Sequence, residues 1–512
     1  MNRRCFLGSS MGAIVACTSG SSVLATKTAN AETGVTHQAV ISPGDVKINL
    51  RPVMTNIIHT GVWEGPCRFR VTTPAKEKVN AEESFAEWSR DIKKNRLHLN
   101  QEDVNILEPA HITFSENFVL KQRELDKLKS DARNTDAYFI YPGGSSITAF
   151  EIGKRFNKPI ILRGGLDCRN VDIAAYSKNK GQEVFVPANS DELIRLVSLL
   201  RARKVFTHTR ILFPTDHGLP AVCSVGSISD LKGLEEKLGI VVECISYKEL
   251  VEEMNSTIKS KLETEKAEQL ADELLRSANK SYLDRKYVVK SMQFYRTVKN
   301  LMNRYGCNAF TIECFELCSS KLADKWTITP CLIHSLLRNE DYASSCEGDL
   351  GSLLAMRMLM SVSGKSPHQG NTDPRPKDTF RINHSVPSMK MNGYDQPDMP
   401  YQLGRFTESG WGTKVVVDFM NNRERKVTVA RVDPSATKLL VLSGKLVGAS
   451  GWDSDKLGCS VEALIKPPNG RADEFLKKRL EYGNHLQWVY GDYTEQMQQL
   501  GEMLNLQVEV IS

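Results

Sequence analysis

Continuous apolar runs alternate with helical segments in this chain, and this alternation constrains the fold more than any other feature of the sequence. Residues 136–141 (DAYFIY) and 158–162 (KPIIL) are runs of the buried-strand type, and the helical pattern of residues 147–156 separates them. A strand–helix–strand order of this kind is typical of a parallel sheet with helices on both faces. The order recurs from residue 205 onward, so the sequence predicts two doubly wound units.

The length and the later composition predict a third domain. A chain of 512 residues favours two or three domains. We predict a linker at 32–46, an N-terminal α/β domain at 47–203 and a central α/β domain at 204–365. Six prolines between residues 366 and 401 predict an irregular crossing segment. Short extended runs follow it, so residues 366–512 are predicted to form a smaller antiparallel domain resembling a β-barrel; the runs are 414–419, 425–432, 439–447 and 460–465.

The first 31 residues have the pattern of a twin-arginine signal peptide. Arg3 and Arg4 precede an apolar run, and residues 29–31 form an Ala-x-Ala cleavage signal. We therefore expect a periplasmic or secreted protein. The run before Cys17 also resembles a lipoprotein box, which would leave a lipid anchor, and an unused leader would leave the protein cytoplasmic. No other apolar stretch approaches the roughly 20 residues that span a bilayer.

Charge and cysteine usage favour a small-molecule partner. The formal net charge of +6 comes from 67 basic and 61 acidic residues. Both signs are scattered, and a basic stripe with interleaved aromatic residues is absent from the sequence, so nucleic acid is not an expected partner. The ten cysteines beyond the leader lack the Cys-x-x-Cys spacing of zinc sites, and most, including Cys314 and Cys318, are predicted to be buried free thiols.

Carboxylates follow two predicted strands of the central unit. Residues 309–312 read as a strand that ends at Glu313, and Glu347 and Asp349 precede an apolar helical run that stops at Gly364. Ligands of open α/β sheets bind beyond the carboxyl ends of the strands, so these side chains suit a hard metal ion and proton transfer. The alternative is structural: Asp349 caps its helix and Glu313 pairs with a lysine.

Three segments in order resemble the L-fucose and L-arabinose isomerase family. They are FTIECFEL at 310–317, CEGDLGSLLAMRMLMSVSGKSPHQGN at 346–371 and YGNHLQWVYGDY at 482–493. The resemblance implies a metal-dependent aldose–ketose isomerase that acts on a free monosaccharide through an ene-diol, with Mn²⁺ or another divalent cation. It also implies a homo-oligomer. An exported sugar-binding protein without catalysis is the alternative function, and a nicotinamide-dependent oxidoreductase is disfavoured because the glycine fingerprint is absent.

The resemblance also assigns candidate residues. It implies that Glu313 and Asp349 are both metal ligands and the acid–base pair, and that His485 is the third ligand. Glu347 could replace Asp349 as the ligand or be its hydrogen-bonding partner. The candidates for substrate binding are Trp63, Arg68, Glu347, Asn371 and His384, and Arg163 is, like Asn371, a candidate for contact with substrate hydroxyls. The chain departs from the family at Cys459-Ser460-Val461, where relatives have Cys-Arg-Thr.

Overall fold

The structure is a computed structural model, and it describes residues 41–62, 72–143 and 147–511. The predicted leader, including Cys17, and the candidates Trp63 and Arg68 lie outside the described residues. In the part of the chain that is described, no helix has both the length and the apolar character needed to cross a membrane.

The first sheet has six parallel strands, and β1 pairs with three of them. The strand order is β2-β1-β4-β5-β6, and β3 also pairs with β1. The strands are β1 (Ile48–Ile57), β2 (Val104–Ile106), β3 (Ala110–Phe114), β4 (Ala137–Pro142), β5 (Ile160–Leu162) and β6 (Val184–Phe185).

Helices cover both faces of this sheet, as the apolar runs predicted. Leu50 and Phe139 pack on one face, while Val53 and Ile140 pack on the opposite face. Because successive side chains of a strand point to opposite faces, a strand buried on both sides is apolar throughout. The helices of this region are α1 (Pro74–Asn95), α2 (Gln122–Lys129), α3 (Thr148–Phe156), α4 (Cys168–Asn179) and α5 (Ser190–Thr207).

The second sheet is also parallel, with the strand order β11-β10-β7-β8. Ile211 packs against α5 on one face of this sheet, and Leu212 packs on the other face. The strands of this region are β7 (Arg210–Pro214), β8 (Val241–Ile245), β9 (Lys280–Ser281), β10 (Ala309–Ile312) and β11 (Ala343–Cys346), of which β9 belongs to a separate small sheet. The helices are α6 (Leu231–Leu238), α7 (Tyr247–Lys259), α8 (Lys261–Ser277), α9 (Arg285–Tyr305), α10 (Cys314–Ser319), α11 (Leu322–Trp326), α12 (Cys331–Asn339) and α13 (Leu350–Ser363).

The last part of the chain contains a closed antiparallel barrel of six strands. The ring runs β16-β19-β12-β13-β18-β17 and returns to β16, and β20 adds to β17 in parallel. Strands β14 and β15 pair with β9 instead. The strands are β12 (His368–Arg375), β13 (Thr379–His384), β14 (Tyr401–Arg405), β15 (Thr413–Val417), β16 (Lys426–Val432), β17 (Lys438–Ser450), β18 (Val461–Lys466), β19 (Leu486–Tyr490) and β20 (Gln507–Ile511), and the helices are α14 (Ala472–Lys478) and α15 (Thr494–Met503).

The structure confirms the predicted mixed α/β architecture, with two parallel sheets followed by an antiparallel barrel. The prediction of an irregular segment over residues 366–401 was wrong, because β12 and β13 form a hairpin there that completes the barrel. Pro367 precedes β12, Pro374 is the second-last residue of β12, Pro376 lies in the turn and Pro387 follows β13. Prolines at or near strand ends remove few hydrogen bonds of the sheet. A high proline content in this segment was therefore compatible with two strands.

Candidate active site

Glu313 and Glu347 follow two strands that end side by side. Ile312 of β10 pairs with Cys346 of β11, so the next residue on each strand leaves the sheet at the same edge. Glu313 caps α10, where one oxygen accepts a hydrogen bond from the Phe315 amide at 3.1 Å and the other accepts one from the Cys223 amide at 3.3 Å. Burial raises the pKa of Glu313, and the negative charge of Glu347 adds to the effect, while the two amides oppose it. This carboxyl is therefore suited to gain and lose a proton.

Glu347 lies in a tight turn with left-handed backbone. Its φ is +64°, and the φ of Gly348 is also +64°. Glycine is favoured at 348 because the φ is positive and a Cβ there would lie 3.0 Å from the Ala221 Cβ and 3.2 Å from the Phe213 ring. A glutamate in this conformation costs about 1–2 kcal/mol, which the surrounding fold must offset. Backbone strain is often retained at functional sites, so this turn is a candidate for one.

Two buried histidines face Glu347. His384 ends β13, and His485 directly precedes β19. Each histidine has its Nε2 atom 3.4 Å from one Glu347 oxygen, and ligand atoms of the three residues all lie within 4.8 Å of one another. Within the described chain, neither Nε2 atom has a hydrogen-bond partner. Two orphaned imidazole nitrogens beside a buried carboxylate fit a divalent cation.

Asp349 has its hydrogen-bonding capacity occupied. It caps α13 by accepting a hydrogen bond from the Ser352 amide at 3.0 Å, and both its oxygens lie 2.7 Å from Nη1 of Arg431. His485 Nδ1 is 2.9 Å from Asp349 Oδ2. Burial would raise the pKa of Asp349, but Arg431 and His485 hold it well below its usual range. Asp349 thus fixes the ring of His485 so that Nε2 faces Glu347, an arrangement common around metal-binding histidines.

Arg431 joins the segments around this cluster. The fully buried guanidinium donates from Nε to the Tyr482 carbonyl at 2.9 Å and from Nη2 to the Gly226 carbonyl at 3.2 Å, in addition to its ion pair with Asp349. It therefore holds three chain segments against the end of β11. In the sequence, this arginine lies in an ordinary β-strand pattern, so nothing marked it as part of the site.

The Nδ1 atom of His384 lies next to a thiol, whereas the Nδ1 atom of His485 lies next to a carboxylate. Cys459 Sγ lies 3.7 Å from His384 Nδ1, and the side chain of Asn383 donates to the Cys459 carbonyl at 3.0 Å. Burial would raise the pKa of Cys459, but the adjacent His384 lowers it to about 7. Burial likewise would lower the pKa of His384, whereas Cys459 and Glu347 raise it well above its usual range. The second imidazole therefore lies between two acidic groups, and its Nε2 proton would have to leave before this atom could bind a metal ion.

Gln369 fixes the end of β11 from the barrel side. Its side-chain oxygen accepts from the Cys346 amide at 2.9 Å, and its side-chain nitrogen donates to the Cys346 carbonyl at 3.4 Å. The buried glutamine thus takes the place of a neighbouring strand immediately before Glu347. Gln369 lies inside one of the three segments quoted from the sequence, but no spacing rule singled it out.

The structure brings five of the predicted residues into one cluster, namely Glu313, Glu347, Asp349, His384 and His485. Among the described residues, Cys314, Cys346 and Glu347 form the other group of three whose possible ligand atoms lie within 4.8 Å, and neither group contains Glu313 or Asp349. Two further candidates are not part of this cluster. Asn371 accepts a hydrogen bond from Asn484, the residue before His485. The Arg163 guanidinium lies 4.5 Å from the centre of the Tyr141 ring, at the first sheet.

The fold and the cluster describe an α/β protein with a buried carboxylate–imidazole site that fits a divalent cation. Comparison with known proteins adds a distant relationship to sugar isomerases. Sulfoquinovose isomerases from Priestia aryabhattai and from Priestia megaterium are each 23% identical to this chain over 337 residues, which cover 64% of the chain and 71% of each relative. No protein-family model matches the chain.

The comparison with solved structures found a match of low structural similarity. The crystal structure of an ABC transporter periplasmic solute binding protein from Actinobacillus succinogenes 130z, with bound D-allose, covers 55% of this chain and 83% of that chain at 13% identity. Its TM-score of 0.14 is too low to support a common fold.

Proposed function

We propose that this protein is a metal-dependent aldose–ketose isomerase acting on a free monosaccharide. The observation that carries the proposal is that the Nε2 atoms of His384 and His485 each lie 3.4 Å from a Glu347 oxygen and make no hydrogen bond among the described residues. The distant similarity to sulfoquinovose isomerases supports the class of reaction. The L-fucose and L-arabinose isomerase resemblance supports a sugar of that type.

Glu347, His384 and His485 would hold Mn²⁺ or another divalent cation. We prefer Glu347 to Asp349 as the carboxylate ligand, because Arg431 and the Ser352 amide already occupy the Asp349 oxygens. A bound divalent cation supplies Lewis-acid stabilisation of the charge on the substrate oxygens. Three protein ligands leave positions open for substrate and water. Asp349 keeps the role of orienting His485.

Glu313 would transfer the proton between the two substrate carbons. Isomerisation through an ene-diol needs a group that takes a proton from one carbon and returns it to the next, while the hydroxyl proton passes from one substrate oxygen to the other. Burial raises the pKa of Glu313, so this carboxyl holds an abstracted proton more firmly than an exposed glutamate does and can return it to the neighbouring carbon. Burial at 1% exposure keeps bulk water from exchanging that proton.

The export route, the choice of metal and the assembly belong to the same proposal. A twin-arginine leader would carry the protein out after folding, and Mn²⁺ binds weakly in the usual affinity order of divalent metals. Loading before export would protect a manganese site from Zn²⁺ and Cu²⁺. A homo-oligomer is proposed from the resemblance.

The test is turnover of sugars by the full chain loaded with Mn²⁺. The panel contains free aldoses of the fucose and arabinose type together with sulfoquinovose, and ketose formation is measured for wild type and Glu313→Gln. We expect one or more sugars to be isomerised, with a loss of at least about 100-fold in the variant. Glu265→Gln is the control, because Glu265 is an exposed carboxylate on α8.

Two outcomes would overturn parts of the proposal. Equal turnover in Glu313→Gln would remove Glu313 from proton transfer. Sugar binding without any ketose from the metal-loaded wild type would favour the alternative, an exported sugar-binding protein on the same fold.

A further inference from the structure

We propose that Cys314, Cys346 and Glu347 form a second metal site, which takes a thiophilic divalent ion such as Zn²⁺ or Cd²⁺. The two thiols belong to the two strand ends that also deliver Glu313 and Glu347. Cys346 is the last residue of β11, and Cys314 begins α10. Their possible ligand atoms and those of Glu347 all lie within 4.8 Å of one another.

The separation of the two sulfurs favours a bridging metal over a disulfide. The Sγ atoms are 4.0 Å apart. A tetrahedral zinc ion with bonds of about 2.3 Å holds two thiolates roughly 3.8 Å apart, whereas a disulfide bond is about 2.05 Å long. The thiols are thus close to metal-binding geometry, and each would release its proton to solvent when the ion binds.

The surroundings hold the two thiols in place and leave a route to them. Cys346 is buried, and Gln369 holds both its amide and its carbonyl. Cys314 is partly exposed at the start of α10. Cys223 and Cys318 lie near Cys314 and are exposed, so an incoming ion meets further thiols on the way. Nothing in the sequence indicates this site, because Cys314 and Cys346 are 32 positions apart in the chain.

The second site shares Glu347 with the proposed isomerase centre. Glu347 lies between the thiol pair and the two histidines, so an ion held by the thiols draws this carboxylate away from His384 and His485. Thiophilic metals would therefore inhibit binding of the hard ion. That inhibition rests on the proposed function, whereas the existence of the thiol site does not.

The test uses Cd²⁺ and the full chain loaded with Mn²⁺. Thiolate bound to cadmium absorbs in the ultraviolet through charge transfer, which reports sulfur ligation without reference to turnover. We expect this absorption in wild type, and at least about 100-fold weaker cadmium binding in both Cys314→Ser and Cys346→Ser. The matched controls are Cys168→Ser for the accessible thiol and Cys307→Ser for the buried one, and both should retain the wild-type absorption.

The outcomes separate this proposal from the isomerase proposal. Absorption that persists in both Cys314→Ser and Cys346→Ser, or cadmium binding to wild type without the absorption, overturns the thiol site whatever the enzyme does. Should Cys346→Ser fail to fold, Cys314→Ser decides, because Cys314 lies at a partly exposed helix start. The shared ligand is tested by electron paramagnetic resonance of Mn²⁺. Release of Mn²⁺ from Cys314→Ser should need at least about tenfold more Cd²⁺ than release from wild type, and equal release overturns the sharing.

Discussion

Glu347 and Asp349 are two residues apart in one turn, and both are buried, yet their surroundings differ. Asp349 has a buried arginine, a helix amide and an imidazole Nδ1 as partners. Glu347 has two imidazole Nε2 atoms at 3.4 Å that make no hydrogen bond within the described residues. A carboxylate whose oxygens already accept hydrogen bonds and an ion pair stabilises the fold. A carboxylate next to imidazole nitrogens that make no hydrogen bond can bind a ligand together with them.

The two carboxylates should differ in their contribution to metal binding. Glu347→Gln removes a proposed ligand, so Mn²⁺ affinity should fall by more than about 100-fold, while Asp349→Asn only loosens the orientation of His485 and should cost roughly 10- to 100-fold. Calorimetric titration with Mn²⁺ measures both. Wild-type affinity in Glu347→Gln, combined with complete loss in Asp349→Asn, would reverse the roles assigned here.

The two variants should rank in the opposite order for stability. Asp349→Asn leaves the buried Arg431 charge without its partner, which typically costs about 3–5 kcal/mol of unfolding free energy. Glu347→Gln leaves only the imidazoles of His384 and His485 without their carboxylate, and imidazoles can lose a proton where an arginine cannot, so this variant should cost much less. Urea unfolding of the metal-free proteins near neutral pH gives both values, and a variant Asp349→Asn as stable as wild type would contradict the structural role.

Acid should narrow the gap between wild type and Asp349→Asn. The pKa of Asp349 is depressed in the folded state, so its contribution is complete above the unfolded pKa of about 4 and is lost as the pH falls toward the folded pKa. The difference in unfolding free energy should shrink below about pH 4 by up to roughly 1.4 kcal/mol per pH unit. A gap that stays constant down to the acid transition would show that the ion pair contributes nothing.

The contrast also shows which parts of the site the sequence could predict. Apolar runs predicted both parallel sheets because their strands are buried on both faces, and the position of Glu313 followed from the end of β10. The arginine partner of Asp349 could not be predicted, because Arg431 is 82 residues away and meets Asp349 only through the barrel. Nor could spacing choose between Glu347 and Asp349, since a helix cap and a ligand both call for an acidic residue after a strand.

The smallest expected effect concerns the backbone at Glu347. Its φ of +64° is a conformation that glycine adopts freely, while residues with a Cβ pay about 1–2 kcal/mol. Glu347→Gly and Glu347→Ala both lack the carboxylate, so their difference isolates the backbone, and the glycine variant should be more stable by about 1 kcal/mol in urea unfolding. The corresponding pair at Asp349, where φ is −85°, should show no gain for glycine. An alanine variant at 347 as stable as the glycine variant would mean that the turn relaxes, and then strain at Glu347 would no longer distinguish it from Asp349.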